Sequence, residues 1–172
     1  MSEPIKSPRL SVKALIYGRG PRAGQVLVIH KRMDQDGDFF LFPGGGQNHG
    51  ESAAEALLRE CREELGAEVR LGRLRFVRDY IARHHSFAHL QPGFHAVDLF
   101  FEAELIGEAD YGRATETDNR QIGLAWLSLA ELPSLPVYPR RVAEILSQEF
   151  LQGRTSGPRP VFSGLHYLGD VN

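Results

Sequence analysis

Residues 42–69, FPGGGQNHGESAAEALLRECREELGAEV, constrain the fold of this chain more than any other stretch. Three consecutive glycines stand shortly before a segment of good helix formers. Ser52, followed by Glu55 three positions later, predicts a capping box at the start of a helix. Gly66 predicts the end of that helix. The stretch therefore predicts a glycine-rich loop that leads into a short helix.

The predicted helix has an apolar face and an acidic flank. At about 100° per residue, the apolar face is expected to lie on the core. It comprises Ala54, Leu58, Cys61 and Leu65. The acidic flank carries Glu60, Glu63 and Glu64 at i, i+3 and i+4, where like charges repel one another. A divalent cation would offset that repulsion because hard ions bind carboxylate oxygens, and a carbonyl of the glycine loop offers one more oxygen.

The spacing of these residues is more specific than the helix alone. The chain follows the pattern G-x5-E-x7-R-E-U-x-E-E-x-G-U, in which U is a bulky aliphatic residue, and it resembles the Nudix box. The seven fixed letters fall on Gly45, Glu51, Arg59, Glu60, Glu63, Glu64 and Gly66. Chance agreement at all seven is on the order of 10⁻⁹ per starting position. Two U positions hold the smaller Cys61 and Ala67, where we expect looser packing rather than lost chemistry.

The remaining sequence predicts strands on both sides of this helix and a second helix near the end. Strands are expected at 10–17, 25–30, 39–42, 68–82, 94–105 and 122–127, a helix at 139–151, and an edge strand in 165–172. This order indicates an α+β fold with a mixed sheet. Residues 1–172 are expected to form one domain with a flexible tail at 1–8. The resemblance further implies a Nudix-type α/β/α sandwich with a curved mixed β-sheet.

Composition narrows the functional classes. The formal net charge is −2, so there is no overall attraction to nucleic acid or to an anionic membrane. The sequence has no apolar run long enough to span a bilayer, and its first ten residues lack an apolar signal core. A single cysteine fits a reducing cytoplasm. We expect a cytoplasmic protein with a small-molecule nucleotide substrate and neither membrane nor nucleic-acid partners. Dimers are common among Nudix proteins, so the resemblance is compatible with a homodimer as well as a monomer.

The resemblance implies metal-dependent hydrolysis of a phosphoanhydride bond in a nucleoside diphosphate linked to another moiety. Mg²⁺ is the expected cofactor and Mn²⁺ its substitute. ADP-ribose or a sugar nucleotide is the first expected substrate, because segment 126–133 is similar to the region after the last core strand in family members. Nucleoside triphosphate pyrophosphohydrolysis is the alternative. A non-catalytic sensor would usually lack the box carboxylates, and an isomerase of allylic diphosphates would need a cysteine in the cleft, whereas Cys61 is predicted to face the core.

The resemblance also assigns roles to individual residues. The metal ligands are the carbonyl of Gly44 and the carboxylates of Glu60, Glu63 and Glu64, and Glu63 is also a candidate to orient or deprotonate the attacking water. Arg59 and Glu51 are expected to hold the loop to the helix behind these ligands. The box does not fix the general base. Our candidate is Glu116, in the acidic loop before Trp126, with Glu102 and Glu104 as alternatives.

Three further groups of side chains allow both a functional and a structural interpretation. The histidines at 84, 85 and 89 are expected to form a polar loop rather than a zinc site, since no second cysteine is present. The arginines at 73, 75, 78 and 83 either bind phosphates or form surface ion pairs. The aromatic residues at 39, 80, 87 and 94 either stack on a base or belong to the core.

Overall fold

The computed structural model describes residues 7–33, 37–85, 89, 93–115, 120–153 and 164–172. Within these ranges the chain forms eight strands and two α-helices. In chain order they are β1 (Arg9–Tyr17), β2 (Gln25–Met33), β3 (Gly37–Leu41), α1 (Ala53–Leu65), β4 (Glu68–Ile81), β5 (His95–Ile106), β6 (Gln121–Ser128), β7 (Val137–Tyr138), α2 (Arg140–Leu151) and β8 (His166–Asp170).

The strands form one mixed sheet in the order β7-β3-β2-β1-β5-β4-β8, and β6 pairs with β2 outside this path. β1 runs parallel to β5 over eight residue pairs, whereas it pairs with β2 only at its end, from Ile16 to Tyr17. The sheet therefore opens between β1 and β2 beyond this short contact. The glycine loop and a cleft occupy the open part, as described below.

Alternation along the strands divides the core into two layers. On β1, Val12, Ala14 and Ile16 belong to the cluster that packs on α1, whereas Leu15 belongs to the cluster that packs on α2. The sheet is thus covered by a helix on each face. This arrangement confirms the α/β/α sandwich with a mixed sheet.

The local signals of the first helix are confirmed. Ser52 is the N-cap of a complete capping box with Glu55, and Gly66 ends the helix in the left-handed region at φ 58°. The predicted core face is wrong at Ala54, which is exposed. Of the two adjacent leucines, Leu57 is fully buried and Leu58 is only partly buried. The sequence pattern does not distinguish these two leucines, so tertiary packing decides which one enters the core.

Other elements were predicted with small shifts or were missed. The strand predicted over 68–82 is a single long β4, with register irregularities between Leu71 and Phe76. The predicted edge strand near the end of the chain is β8, which pairs in parallel with β4. β7 was not predicted, because two residues are too short to show a periodicity. In the part of the chain that the structure describes, neither helix is long and apolar enough to cross a membrane.

Candidate functional site

The glycine loop pairs with β1 in the open part of the sheet. Ala14 N donates to Pro43 O at 2.8 Å, Val12 N donates to Gly45 O at 2.9 Å, and Gln47 N donates to Leu10 O at 3.0 Å. Gly44 has φ 126°, and a Cβ there would lie 2.1 Å from Val12 O. A side chain at 44 would therefore push the loop off the strand, so the close approach requires glycine.

Arg59 links the loop to helix α1. Its Nε and Nη2 donate to the two carboxylate oxygens of Glu51 at 2.7 and 3.0 Å, and Nη2 also donates to Gly46 O at 2.9 Å. Its Nη1 donates to Glu60 and Glu63, each at 2.8 Å. The hydrogen bonds from Arg59 to Glu51 are the main reason that the pKa of the Glu51 carboxyl is lowered to about 2. The guanidinium thus neutralises part of the acidic flank that the sequence predicted.

Glu64 turns from this network toward the loop backbone. Its Oε2 accepts a hydrogen bond from Gly44 N at 2.6 Å, while the Lys13 ammonium donates to Gly44 O. Burial raises the pKa of Glu64 to about 7, although Lys13 and the Gly44 amide act in the opposite direction. Lys13 projects from β1, and no motif in the sequence identified it.

The donors at the predicted metal position are carboxylate and carbonyl oxygens, the set that magnesium and manganese prefer. A Cβ at Gly45 would lie 2.5 Å from Glu60 Oε1, so only the bare backbone of the loop fits against that carboxylate. Among the described residues, no three acidic, histidine or cysteine side chains are arranged as metal ligands, since Arg59 holds both Glu60 and Glu63. The donor chemistry fits a divalent ion provided that Glu60 and Glu63 turn away from Arg59 and that Lys13 releases Gly44 O.

The segment before the predicted general base is attached to the end of α1. Asp110 N donates to Leu65 O at 2.9 Å, and Thr115 N donates to Glu63 O at 2.9 Å. Beyond that segment, the buried Gln121 side chain donates to Glu64 O at 3.0 Å. Donors on both sides thus satisfy the last carbonyls of the helix. Glu116 itself lies outside the described residues.

A cleft of about 340 Å³ lies next to the box. Gly45 and Gly46 form part of its wall, so the cleft opens directly onto the loop. Cationic side chains line it: Arg9, Lys13, Lys31, Arg78 and Arg120. Aromatic side chains line it as well: Phe39, Phe42, Tyr80, Phe94, Phe100 and Tyr138. Cations and aromatic rings together suit a ligand that combines phosphates with a planar ring.

The cleft brings together residues that the sequence left ambiguous. Phe39, Tyr80 and Phe94 border it, although the Tyr80 ring already stacks on His85 and lies below the Arg78 guanidinium. Phe87 lies outside the described residues. Arg78 is the member of the arginine series that reaches it. Sequence reasoning missed Asp98, because a single acidic residue within a strand gives no local signal.

Two of the other arginines and two of the histidines form ion pairs away from the cleft. Arg73 pairs with Glu102, and the fully buried Arg75 pairs with Glu149 of α2 at 3.0 Å. His84 and His85 both contact the carboxylate of Asp170, at 2.5 and 2.6 Å. These two histidines therefore join the end of β4 to β8, in line with the structural interpretation. Glu102 and Glu104, the alternative bases, do not line the cleft.

Comparison with known proteins identifies the same domain. The family model of the NUDIX domain matches residues 7–147. The NAD-capped RNA hydrolase NudC of Pseudomonas aeruginosa is 33% identical over 158 residues, which cover 91% of this chain and 50% of that protein. This chain thus spans about half the length of the curated relatives that it matches over most of its own length.

Solved structures share the architecture. A MutT NUDIX hydrolase from Burkholderia pseudomallei superposes with a TM-score of 0.59 and 29% identity, covering 83% of this chain and 98% of that one. A NUDIX hydrolase from Nitrosomonas europaea superposes with a TM-score of 0.64 and 18% identity, covering 86% and 90%. The second likeness supports the fold alone.

Proposed function

Because this chain belongs to the Nudix hydrolase family, we propose that it cleaves a phosphoanhydride bond in a nucleoside diphosphate linked to another moiety. ADP-ribose or a sugar nucleotide is the first substrate to test. The observation that carries the proposal is the direct junction between box and cleft at Gly45 and Gly46. A nucleotide in the cleft would present its phosphates to the loop and to the carboxylates of α1.

The proposed reaction is attack of water on phosphorus, with negative charge increasing on the bridging and non-bridging oxygens. Magnesium or manganese, when bound, would neutralise this charge and lower the pKa of a bound water. Gly44 O, Glu60 and Glu64 would hold the ion. Glu63, once released from Arg59, would orient the attacking water. Glu116 remains our candidate for the general base.

Residues around the ligands would set geometry rather than react. The bonds from Arg59 to Glu51 and Gly46 fix the loop relative to the helix. Lys13 and Arg9 lie against the loop, because Lys13 donates to Gly44 O and the Arg9 guanidinium fills the space that a Cβ at Gly46 would need. Both would contact the phosphate oxygens of a nucleotide held there. Positioning of this kind accounts for much of the rate in phosphoryl transfer.

A dinucleotide is the second candidate substrate. The observation that favours it is the 33% identity to an NAD-capped RNA hydrolase over 91% of this chain. NADH and an RNA with an NAD cap therefore belong in the assay, although the sequence by itself predicted no nucleic-acid substrate. A nucleoside triphosphate remains the alternative from the sequence.

The test is a hydrolysis panel with magnesium or manganese: ADP-ribose, UDP-glucose, NADH, NAD-capped RNA, nucleoside triphosphates and coenzyme A. We expect a clear preference for one diphosphate-linked nucleotide, and loss of turnover on chelation of the metal. Preference for a nucleoside triphosphate would replace the first substrate class with the alternative. Tight binding of one compound without turnover of any would support the sensor function instead.

Location and assembly are part of the same proposal. The single cysteine, which is buried at position 61, is compatible with a cytoplasmic protein. Light scattering at several protein concentrations would distinguish a monomer from the homodimer that the family resemblance allows.

A further inference from the structure

The cleft contains a buried ion pair that phosphate hydrolysis does not require. Arg78 on β4 and Asp98 on β5 are direct register partners, and Arg78 Nε donates to Asp98 Oδ2 at 2.7 Å. Both residues line the cleft, yet they are only 8% and 5% exposed. Burying two charges costs free energy that a surface pair avoids, so the position of this pair needs a reason.

Contacts outside the pair fix its orientation. Arg78 Nη1 donates to Val171 O at 2.7 Å, and the guanidinium carbon lies 5.0 Å from the centre of the Tyr80 ring. Arg78 Nη2 and Asp98 Oδ1 make no hydrogen bond to any residue that the structure describes. The N–H groups of Nη2 and the Oδ1 acceptor thus have no partner among the described residues, and they lie beside an aromatic ring.

We propose that Arg78 and Asp98 recognise the Watson–Crick edge of a base in which an exocyclic amino group lies beside a ring nitrogen acceptor, as N6 lies beside N1 in adenine and N4 beside N3 in cytosine. Asp98 Oδ1 would accept from the amino group, and Arg78 Nη2 would donate to the ring nitrogen. This inference rests on the proposed function, since it places the base of that substrate in the cleft.

The same pair would reject the corresponding oxo bases. Hypoxanthine and uracil place a carbonyl oxygen where adenine and cytosine have the amino group, and an N–H where they have the acceptor. A carboxylate would then face a carbonyl oxygen, and a guanidinium would face an N–H. Leaving buried polar groups unpaired discriminates more strongly than losing an apolar contact.

The experiment compares substrates that differ only in this edge. For the wild type we expect kcat/KM for ADP-ribose to exceed that for IDP-ribose, or kcat/KM for CDP-glucose to exceed that for UDP-glucose, by roughly tenfold to a hundredfold. The pair of substrates that shows the preference identifies a purine or a pyrimidine site. Equal rates within both pairs would overturn the inference and leave the proposed hydrolysis intact.

Asp98→Asn sharpens the test, because its amide oxygen would face Arg78 and its NH₂ would face the base. We expect the preference for the amino base to fall by about tenfold. Asp79→Asn makes the same chemical change next to Arg78 but outside the cleft, and the preference should be unchanged. A uniform loss for both substrates in Asp98→Asn would indicate a structural role and count against recognition.

Binding separates this inference from the proposed function. Calorimetry of the wild type with AMP and IMP, and with CMP and UMP, needs neither turnover nor a folded variant. Tighter binding of AMP or CMP by about tenfold would support recognition even if no compound were hydrolysed. Equal affinities within both pairs would contradict it.

Discussion

The box and the cleft are adjacent but are built in opposite ways. The box is one continuous segment from Gly45 to Ala67, and its seven fixed letters lie between Gly45 and Gly66. The cleft takes its walls from segments far apart in the chain, from Arg9 on β1 to Asn172 beyond β8. The proposed catalytic groups therefore depend on local spacing, whereas the proposed substrate contacts depend on how the sheet assembles.

This difference separates chemistry from specificity. A motif with fixed spacing can place carboxylates and a loop carbonyl in any protein that forms the loop and helix. The proposed substrate selection depends on single residues such as Asp98, whose partner Arg78 is distant in sequence. We therefore expect variants in the box to affect the chemical step, and variants in the cleft to affect binding and selectivity.

The largest expected effect is that of Glu64→Gln. Replacing a proposed metal ligand by an amide should lower kcat by about 10³-fold and weaken binding of manganese, since the charge that holds the ion is lost. Turnover and manganese titration by electron paramagnetic resonance measure the two effects. Glu68→Gln, just after the helix, is the matched control. Unchanged kcat in Glu64→Gln would remove Glu64 from the metal site.

Arg59→Ala should have the next largest effect. Loss of the bonds to Glu51 and Gly46 should lower activity by roughly 10–100-fold. It should also lower the free energy of unfolding by about 2 kcal/mol, because several carboxylates lose their partner. Kinetics and urea unfolding test both. Arg59→Lys keeps the positive charge but cannot make the bidentate hydrogen bonds to Glu51. Full activity and stability in that variant would show that charge alone suffices.

Tyr80→Ala should change the cleft without changing the chemistry. We expect KM to rise by about tenfold with kcat nearly unchanged, because Arg78 loses the ring beneath its guanidinium and the proposed base contact weakens equally in the ground state and the transition state. Tyr80→Phe should recover most of the loss. Tyr167→Ala removes an exposed ring on β8 and is the control. A fall in kcat alone would place Tyr80 in the chemical step and break the division between the two regions.

The smallest expected effect is on the free energy of unfolding at acidic pH, measured without metal. The carboxyl of Glu51 has a pKa lowered from 4.5 to about 2 in the folded chain. Its contribution to stability is therefore present above pH 4.5 and is lost as the pH falls toward 2. The difference in unfolding free energy between wild type and Glu51→Gln should shrink over that range. A constant difference down to pH 2 would contradict the lowered pKa.

Sequence reasoning succeeded where the deciding interactions are local. The capping box of Ser52 and the left-handed Gly66 depend on neighbours three or four residues away, so the limits of α1 were predicted within a residue. It failed at Ala54 and Leu57, because adjacent apolar residues leave the orientation of the helix undetermined. It also missed β7 and the pairing of the glycine loop with β1, which are contacts between distant segments.

By itself, the sequence determined the family, the loop–helix unit and the set of oxygen donors, because each follows from residue type and spacing along the chain. Only the tertiary structure decided that Lys13 reaches Gly44, and that Asp98 and Arg78 share a cleft. The physical reason is distance along the chain. A helix fixes neighbours within a turn, whereas strand order and register decide which remote side chains meet.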